Sequence, residues 1–176
     1  MPITLDGTNG VTTNSGTLIS ATTIGVGGAT PSTSGAGITF PATQSASSDA
    51  NTLDDYEEGS FTPTVSFALA SVGLTYTARP ARYTKIGRTV NFQIEITLSN
   101  KGSSTGYITI GSLPFSNNGD VRAGCSVYMS TGLPVNTQII GTDIYIYVAS
   151  GSNVTNMTDS SVTNTTSFTL AGSYQT

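Results

Sequence analysis

Between Thr89 and Leu98 every second residue is apolar and the residues between them are polar. The apolar members are Val90, Phe92, Ile94, Ile96 and Leu98. A period of two places these five side chains on one face of an extended strand, whereas an amphipathic helix needs a period near 3.6. The segment therefore predicts a β-strand with one buried face and one solvated face.

The same period recurs in shorter segments between Phe61 and Thr176, with turn-forming residues between them. These further strand candidates are 61–69, 74–76, a piece around 83, 108–110, 121–129, 138–140, 143–148 and 168–174. Eight or nine short strands of this kind are typical of an all-β antiparallel sandwich or jelly roll. In 143–148, apolar residues on one face oppose Tyr145 and Tyr147 on the other, which predicts a central or intersubunit strand.

The low charge of the chain agrees with a folded, all-β protein. Charged residues make up 9% and hydrophobic residues 36% of the sequence, and the formal net charge is −4. Disordered chains usually combine low hydrophobicity with high net charge. The few basic residues form no cluster, which argues against nucleic acid as a partner. No apolar run approaches the ~20 residues of a membrane span, so we expect no membrane insertion.

Residues 1–52 differ in character from the rest of the chain. Their short apolar pieces, separated by turn signals, are Ile3–Leu5, Leu18–Ile19, Ile24–Val26 and Ile38–Phe40. A single copy cannot bury enough apolar area to offset the ~1–2 kcal/mol of backbone entropy lost by each ordered residue. The segment is therefore either disordered alone or ordered by neighbouring copies or a larger assembly. We predict an extended N-terminal segment at 1–52, an acidic junction at 53–60 and a β-sandwich domain at 61–176.

Histidine is absent and Cys125 is the single cysteine. A histidine general base, a Ser-His-Asp triad and a zinc site of several thiolates are therefore excluded. The glycine-rich stretch 25–30 has Thr30 where a dinucleotide-binding fingerprint needs a glycine. We expect no cofactor. Cys125 alternates with Val127 and Met129, which predicts a small buried hydrophobe and not a reactive thiol.

The acidic cluster Asp54, Asp55, Glu57 and Glu58 has three interpretations. It could supply the paired carboxylates of a glycosidase or the oxygen ligands of a hard cation. No aromatic platform for a sugar lies nearby in the sequence, so catalysis is the least favoured interpretation. We favour a solvated junction whose charges keep copies of the chain apart until assembly. We therefore predict no catalytic residues, no metal site and no enzymatic activity.

Several motifs resemble those of bacteriophage tail fibres. Residues 54–64, Asp-Asp-Tyr-Glu-Glu-Gly-Ser-Phe-Thr-Pro-Thr, resemble a junction that recurs in phage and prophage tail-fibre-like proteins. Residues 82–90, Arg-Tyr-Thr-Lys-Ile-Gly-Arg-Thr-Val, look like the strand that follows it there. Residues 111–115 and 170–174 are similar to further segments of those proteins. The stretches 3–11 and 37–41 are similar to openings of marine and cyanobacterial phage fibres.

This resemblance implies a virion structural protein, made in the host cytoplasm and located in the phage tail or baseplate. It implies a homotrimer whose N-terminal segment joins other tail or baseplate proteins. The β-domain would then point outward and contact the host cell surface, with surface polysaccharide as the candidate ligand.

Two other functions share the predicted fold. A capsid decoration or head-fibre protein would use the same N-terminal anchoring. A soluble carbohydrate-binding module would leave the N-terminal segment without a purpose. For host contact, the candidate loops are 99–106, 116–120 and 150–165, and the sequence singles out no receptor-binding residue within them.

Overall fold

The computed structural model describes residues 23–119, 123–132, 135–150 and 153–176. The predicted pieces Ile3–Leu5 and Leu18–Ile19, and Val121 at the start of a predicted strand, lie outside the described residues. The chain divides into two compact units, residues 1–43 and residues 44–176.

Regular structure in the described ranges consists of strands and one 3₁₀ turn, Asp159–Ser161, without an α-helix. The strands are β1 Thr23–Gly25, β2 Gly37–Thr39, β3 Tyr56–Phe61, β4 Thr64–Phe67, β5 Leu74–Ala78, β6 Ala81–Ile86, β7 Thr89–Lys101, β8 Ile108–Gly111, β9 Cys125–Met129, β10 Val135–Ile140, β11 Asp143–Ser150, β12 Asn153–Asn156 and β13 Ser167–Gln175. Among these same residues, no helix has the length and apolar character needed to cross a bilayer.

The first unit contains a short parallel ladder between β1 and β2, in which Ile24 lies opposite Ile38. The Val26 N–H extends the ladder by donating to the Thr39 carbonyl at 3.0 Å. Two of the predicted extended pieces are therefore strands. Both isoleucine side chains are exposed, so this ladder buries neither of them.

The second unit contains a six-stranded antiparallel sheet arranged around β7. Its main strand order is β3-β6-β7-β13-β9, and β5 also pairs with β7. The thirteen-residue β7 pairs with β13 along one edge. Along the other edge it pairs first with β6 and then with β5. The strand predicted most clearly by the sequence is thus the central one.

The second sheet is antiparallel and has five strands. Its main strand order is β10-β11-β8-β4, and β12 also pairs with β11. The β10 strand pairs along one edge of β11, and β8 and β12 follow each other along the opposite edge. Of the two placements predicted for 143–148, central or intersubunit, the structure shows a central strand, since β11 has partners on both edges.

Buried side chains from both sheets form one hydrophobic core. Its largest fully buried members are Phe67, Phe168, Ile94, Ile96, Leu98, Ile108, Ile110, Met129, Ile144, Ile146, Met157 and Leu170. The apolar stripe from Val90 to Leu98 is buried throughout. Full burial of such a side chain stabilises the fold by ~1.5–3 kcal/mol. The predicted all-β antiparallel sandwich is therefore confirmed.

The acidic segment is partly structured, and one of its carboxylates is buried. Most of it belongs to β3, which pairs with β6 in the six-stranded sheet. The preceding Asp55 is only 5% exposed, and its carboxylate forms an ion pair with the ammonium group of Lys85, which is 3% exposed. The Gly87 N–H also donates to the Asp55 carbonyl at 2.9 Å. Asp55 is therefore not a solvated charge, because β6 supplies a buried countercharge to it.

Two residues just before the acidic segment form hydrogen bonds with Asp54 and Lys85. The Ser47 N–H donates to the Asp54 carboxylate at 2.8 Å, which lowers the pKa of Asp54. The Gln44 side chain donates to Asp54 at 3.2 Å and accepts from Lys85 Nζ at 3.0 Å. The second compact unit accordingly begins at Gln44, inside the segment 1–52 that the sequence assigned to the N-terminal extension.

Cys125 begins β9 with its side chain half-buried against the core. Burial raises the pKa of its thiol, which keeps the sulfur protonated near neutral pH. The neighbouring Met129 is fully buried on the same face, as the alternation predicted.

Candidate functional site

A polar groove crosses the outer face of the six-stranded sheet. Its cavity volume is about 770 Å³, within the ~300–1,000 Å³ usual for ligand sites. The polar side chains that line it are Glu58, Arg82, Thr84, Asn91, Gln93 and Ser173. They come from β3, β6, β7 and β13, so four strands contribute to one surface.

Strand register explains how these side chains come together. Glu58, Thr84, Asn91 and Ser173 are paired in succession across the sheet and form one outward row. Because side chains two residues apart share a face of a strand, Arg82 and its partner Gln93 form a second outward row. The groove lies between the two rows.

The row between them points into the core and provides the floor of the groove. It runs through Gly59, Tyr83, Phe92 and Gly172. A Cβ atom at Gly59 would lie 2.9 Å from the Tyr83 ring, and one at Gly172 would lie 3.3 Å from the Phe92 ring. A side chain would be crowded at both ends, by the Tyr83 ring at Gly59 and at Gly172 chiefly by the Cβ atom of Cys125, which would lie 2.5 Å away.

An inward hydrogen bond fixes one of these rings. The Tyr83 hydroxyl donates to the carboxylate of Glu57, and this bond raises the pKa of Tyr83 to about 12. The ring also meets Phe115 edge-on, with 5.4 Å between the ring centroids. The aromatic side chains near the groove therefore stabilise the fold and offer no flat face to a ligand there.

The groove carries one positive and one negative charge. Arg82 and Glu58 are both exposed, and the described residues include no ion-pair partner for either of them. Glu58 accepts a hydrogen bond from the Tyr56 hydroxyl at 3.0 Å. The local net charge of the lining is zero, and its hydrogen-bonding groups include both donors and acceptors.

The four residues of the acidic cluster do not converge. Glu57 and Glu58 project from opposite faces of β3, and Asp55 is paired with Lys85 below the surface. Within the described ranges, no three acidic or cysteine side chains come close enough to hold a metal ion. The geometry therefore does not favour the paired-carboxylate or hard-cation interpretation of this cluster.

Two of the three candidate loops meet each other. In the first loop and its preceding strand, Gly106 N–H donates to the Asp159 carboxylate at 2.9 Å and Lys101 Nζ lies 3.3 Å from it. The Lys101 N–H also donates to Asn164 Oδ1 at 3.0 Å. In the described part of loop 116–120, Asn118 N–H donates to the Gln175 carbonyl at 3.2 Å. The described residues of these loops do not line the groove.

The groove residues were not identified from the sequence as a site. The available signal was the pair of amides, Asn91 and Gln93, on the outward face of the clearest strand. Their partners on the other strands lie far away in the sequence, so a pattern confined to one strand could not reveal the groove.

A second surface, the tyrosine face, lies on the outer side of the five-stranded sheet. The Tyr107 and Tyr145 rings stack there with centroids 6.0 Å apart. Tyr147 lines a neighbouring depression of about 560 Å³. Ile140 and Val154 are 49% and 58% exposed beside these tyrosines.

Comparison with known proteins gives one informative likeness. No protein-family model matches the chain, and no curated protein matches it. The chain is similar to the crystal structure of the Dettilon tailspike protein (gp208), with a TM-score of 0.57 and 21% sequence identity. The match covers 68% of this chain and spans 24% of the tailspike chain. At this level of identity the likeness shows a shared fold.

Proposed function

We propose that this chain is a structural protein of a bacteriophage tail. In this proposal it is a tail or baseplate fibre that projects from the particle and contacts the host cell surface. The observation that carries the proposal is the likeness of its fold to part of a phage tailspike. The tail-fibre-like motifs at 54–64 and 82–90 support it, since they supply β3 and the β6–β7 hairpin of one sheet.

The N-terminal segment would attach the chain to other tail or baseplate proteins, and the β-sandwich would point outward. Ile24 and Ile38 support this orientation because they are exposed on a short ladder. Apolar side chains and strand edges of this kind can be covered by a partner through strand addition.

A homotrimer is part of the same proposal. The tyrosine face supports it, because aromatic residues are enriched and charged residues depleted in the core of protein interfaces. Three copies of 18.0 kDa give an assembly of about 54 kDa. Mass photometry should detect this species, whereas a stable monomer at micromolar concentration would contradict the trimer.

We infer that the protein binds its target without cleaving it. A glycosidase needs two carboxyl groups on either side of the scissile bond, ~5–9.5 Å apart. Glu57 and Glu58 face opposite sides of their strand, which disfavours that arrangement. Replacing both by glutamine should leave sugar release from host polysaccharide at background. Sugar release by the native protein that disappears in this variant would contradict the inference.

The decisive experiment is to locate the chain on the particle. Gold-labelled antibodies against the β-sandwich should decorate the tail or baseplate in electron micrographs. Labelling of the head would favour the capsid decoration or head-fibre alternative. Absence of the chain from purified particles would favour a soluble carbohydrate-binding module, and either result would overturn the proposal.

A further inference from the structure

We propose that the polar groove on the six-stranded sheet binds a neutral, hydroxyl-rich glycan strand. This inference rests on the proposed function, because contact with the host surface would bring such a polymer to the groove. It assigns ligand binding to strand residues of the sandwich and not to the loops that connect them.

The side chains of the groove match the chemistry of a polyhydroxylated ligand. Asn91 and Gln93 each offer an amide oxygen as acceptor and an amide nitrogen as donor. Both are exposed and lie two residues apart on one face of β7. Arg82 adds donors and Glu58 adds acceptors at the side of the same groove. Neighbouring hydroxyl groups of a sugar present donors and acceptors at similarly short spacing.

The charge of the groove selects against charged polymers. A binding site for polyanions needs several clustered cations, whereas the described residues of the lining include one cation, Arg82, which Glu58 opposes. A polycation would meet one carboxylate, that of Glu58, with the cation Arg82 beside it. A neutral glycan needs no net charge from its site, so it is the ligand that this lining suits.

The described lining of the groove also lacks the exposed aromatic side chains that are typical of a protein interface. Stable protein interfaces have an apolar core rich in aromatic residues. In the groove, Tyr83 and Phe92 turn their rings inward, and Ala171 is the exposed apolar side chain. The tyrosine face, on the opposite sheet, is the surface whose composition fits association between copies.

The shape of the groove fits an extended strand of sugars. It crosses from β3 through β6 and β7 to β13. With neighbouring strands ~4.8 Å apart, this path is about 14 Å long. An oligosaccharide lying across the strands would contact both outward rows along this length.

Nuclear magnetic resonance of the full 176-residue chain tests this site directly. The probes are neutral oligosaccharides of dextran, mannan and galactan, with oligosaccharides of alginate as the acidic comparison. The side-chain amide signals of Asn91 and Gln93 should shift with at least one neutral probe. The corresponding signals of Asn136 and Gln138, on the outer face of the five-stranded sheet, should stay in place.

Variants then measure the contribution of each amide. Asn91→Ala and Gln93→Ala should each weaken binding about tenfold, the effect expected for loss of one or two hydrogen bonds. Asn136→Ala is the matched control and should bind as the native chain does. Circular dichroism of each variant checks that the strands are retained.

Several results would overturn the inference. They are no shift with any neutral probe, stronger shifts with alginate, shifts confined to Asn136 and Gln138, and unchanged affinity in both groove variants. Shifts that depend on protein concentration alone would identify self-association and would also overturn it. If antibodies place the chain on the tail but the binding experiments give any of these negative results, the glycan site falls and the proposed function stands. If the chain binds a neutral glycan but the antibodies place it on the head, the glycan site stands and the proposed function falls.

Discussion

Gly172 lies where β13 packs closely against β9 and β7, and a side chain at this position would clash with both strands. A Cβ atom at this position would lie 2.5 Å from the Cβ atom and 3.0 Å from the Cα atom of Cys125 on β9. Relief of this contact would require the backbone of β9 to move. The Phe92 ring closes the space from β7. The floor of the groove is therefore flat because the core beneath it is full.

Replacing Gly172 by alanine should destabilise the sandwich by about 1–3 kcal/mol, the usual effect of overpacking. Urea unfolding followed by circular dichroism measures this change. Ser173→Ala, on the adjacent outward position, is the control and should change the free energy of unfolding by less than about 0.5 kcal/mol. Equal effects for the two variants would show that the floor is not tightly packed.

Asp159 provides a pH-sensitive contact between two loops. The Gly106 N–H and Lys101 both stabilise its charged form and lower its pKa below the ordinary value of 3.8. A carboxyl group whose pKa is lower in the folded state stabilises the protein above its unfolded pKa. That contribution is lost as the pH falls through the folded value.

Asp159→Asn should therefore reduce stability at pH 7 and make little difference once Asp159 is protonated. Thermal unfolding of both proteins at pH 7, and in steps below 3.8, measures the difference. Ser160→Ala serves as a control without a titrating group. A difference between the two proteins that grows on acidification would contradict the assignment.

At the scale of elements, the Asp55–Lys85 pair joins the segment before β3 to the strand β6. Both groups are almost fully buried, and Lys85 Nζ also lies 5.4 Å from the centroid of the Phe115 ring. Taking two charges out of water is costly, and their mutual attraction and hydrogen bonds offset that cost. The pair therefore fixes where the chain enters the sheet.

Lys85→Met should destabilise the protein by about 3–5 kcal/mol, because it leaves Asp55 as an uncompensated buried charge. Adding Asp55→Leu should recover part of the loss, which a double-mutant cycle in urea would measure. The partly exposed Lys101–Asp159 pair is the matched comparison, and Lys101→Met should cost about 1 kcal/mol or less. Similar costs for both lysine variants would contradict the structural role of the buried pair.

At the scale of the whole molecule, the compact unit that contains the sandwich starts at Gln44 and not at the predicted boundary near residue 52. Gln44 and Ser47 both donate to the Asp54 carboxylate, and Gln44 also accepts a hydrogen bond from Lys85. A truncation that removes them exposes the Asp54 and Lys85 groups that they satisfy.

A chain of residues 44–176 should therefore fold and be more stable than one of residues 53–176. The shorter chain loses the hydrogen bond from the buried Lys85 to Gln44. A hydrogen bond to a charged group contributes ~1.5–3 kcal/mol, so we expect a difference of about that size. Chemical unfolding of the two truncations measures it. Equal stability would show that residues 44–52 contribute nothing to the sandwich.

The position of the candidate site could not be predicted from the sequence. Loops were the expected contact surface, because binding residues are often found on loops. The groove instead depends on the pairing of Glu58, Thr84, Asn91 and Ser173, which lie on four strands. Which of the many outward polar residues become neighbours is a matter of strand order and register.

The sequence by itself determined the fold class and the inward faces of the strands. Alternation from Val90 to Leu98 decides which side chains are buried, because side chains on a strand point to opposite faces at every step. The tertiary structure decided that β7 lies between β6 and β13, and that Asp55 meets Lys85. Such contacts join segments distant in the chain, and the local period of two is the same whichever strands become neighbours.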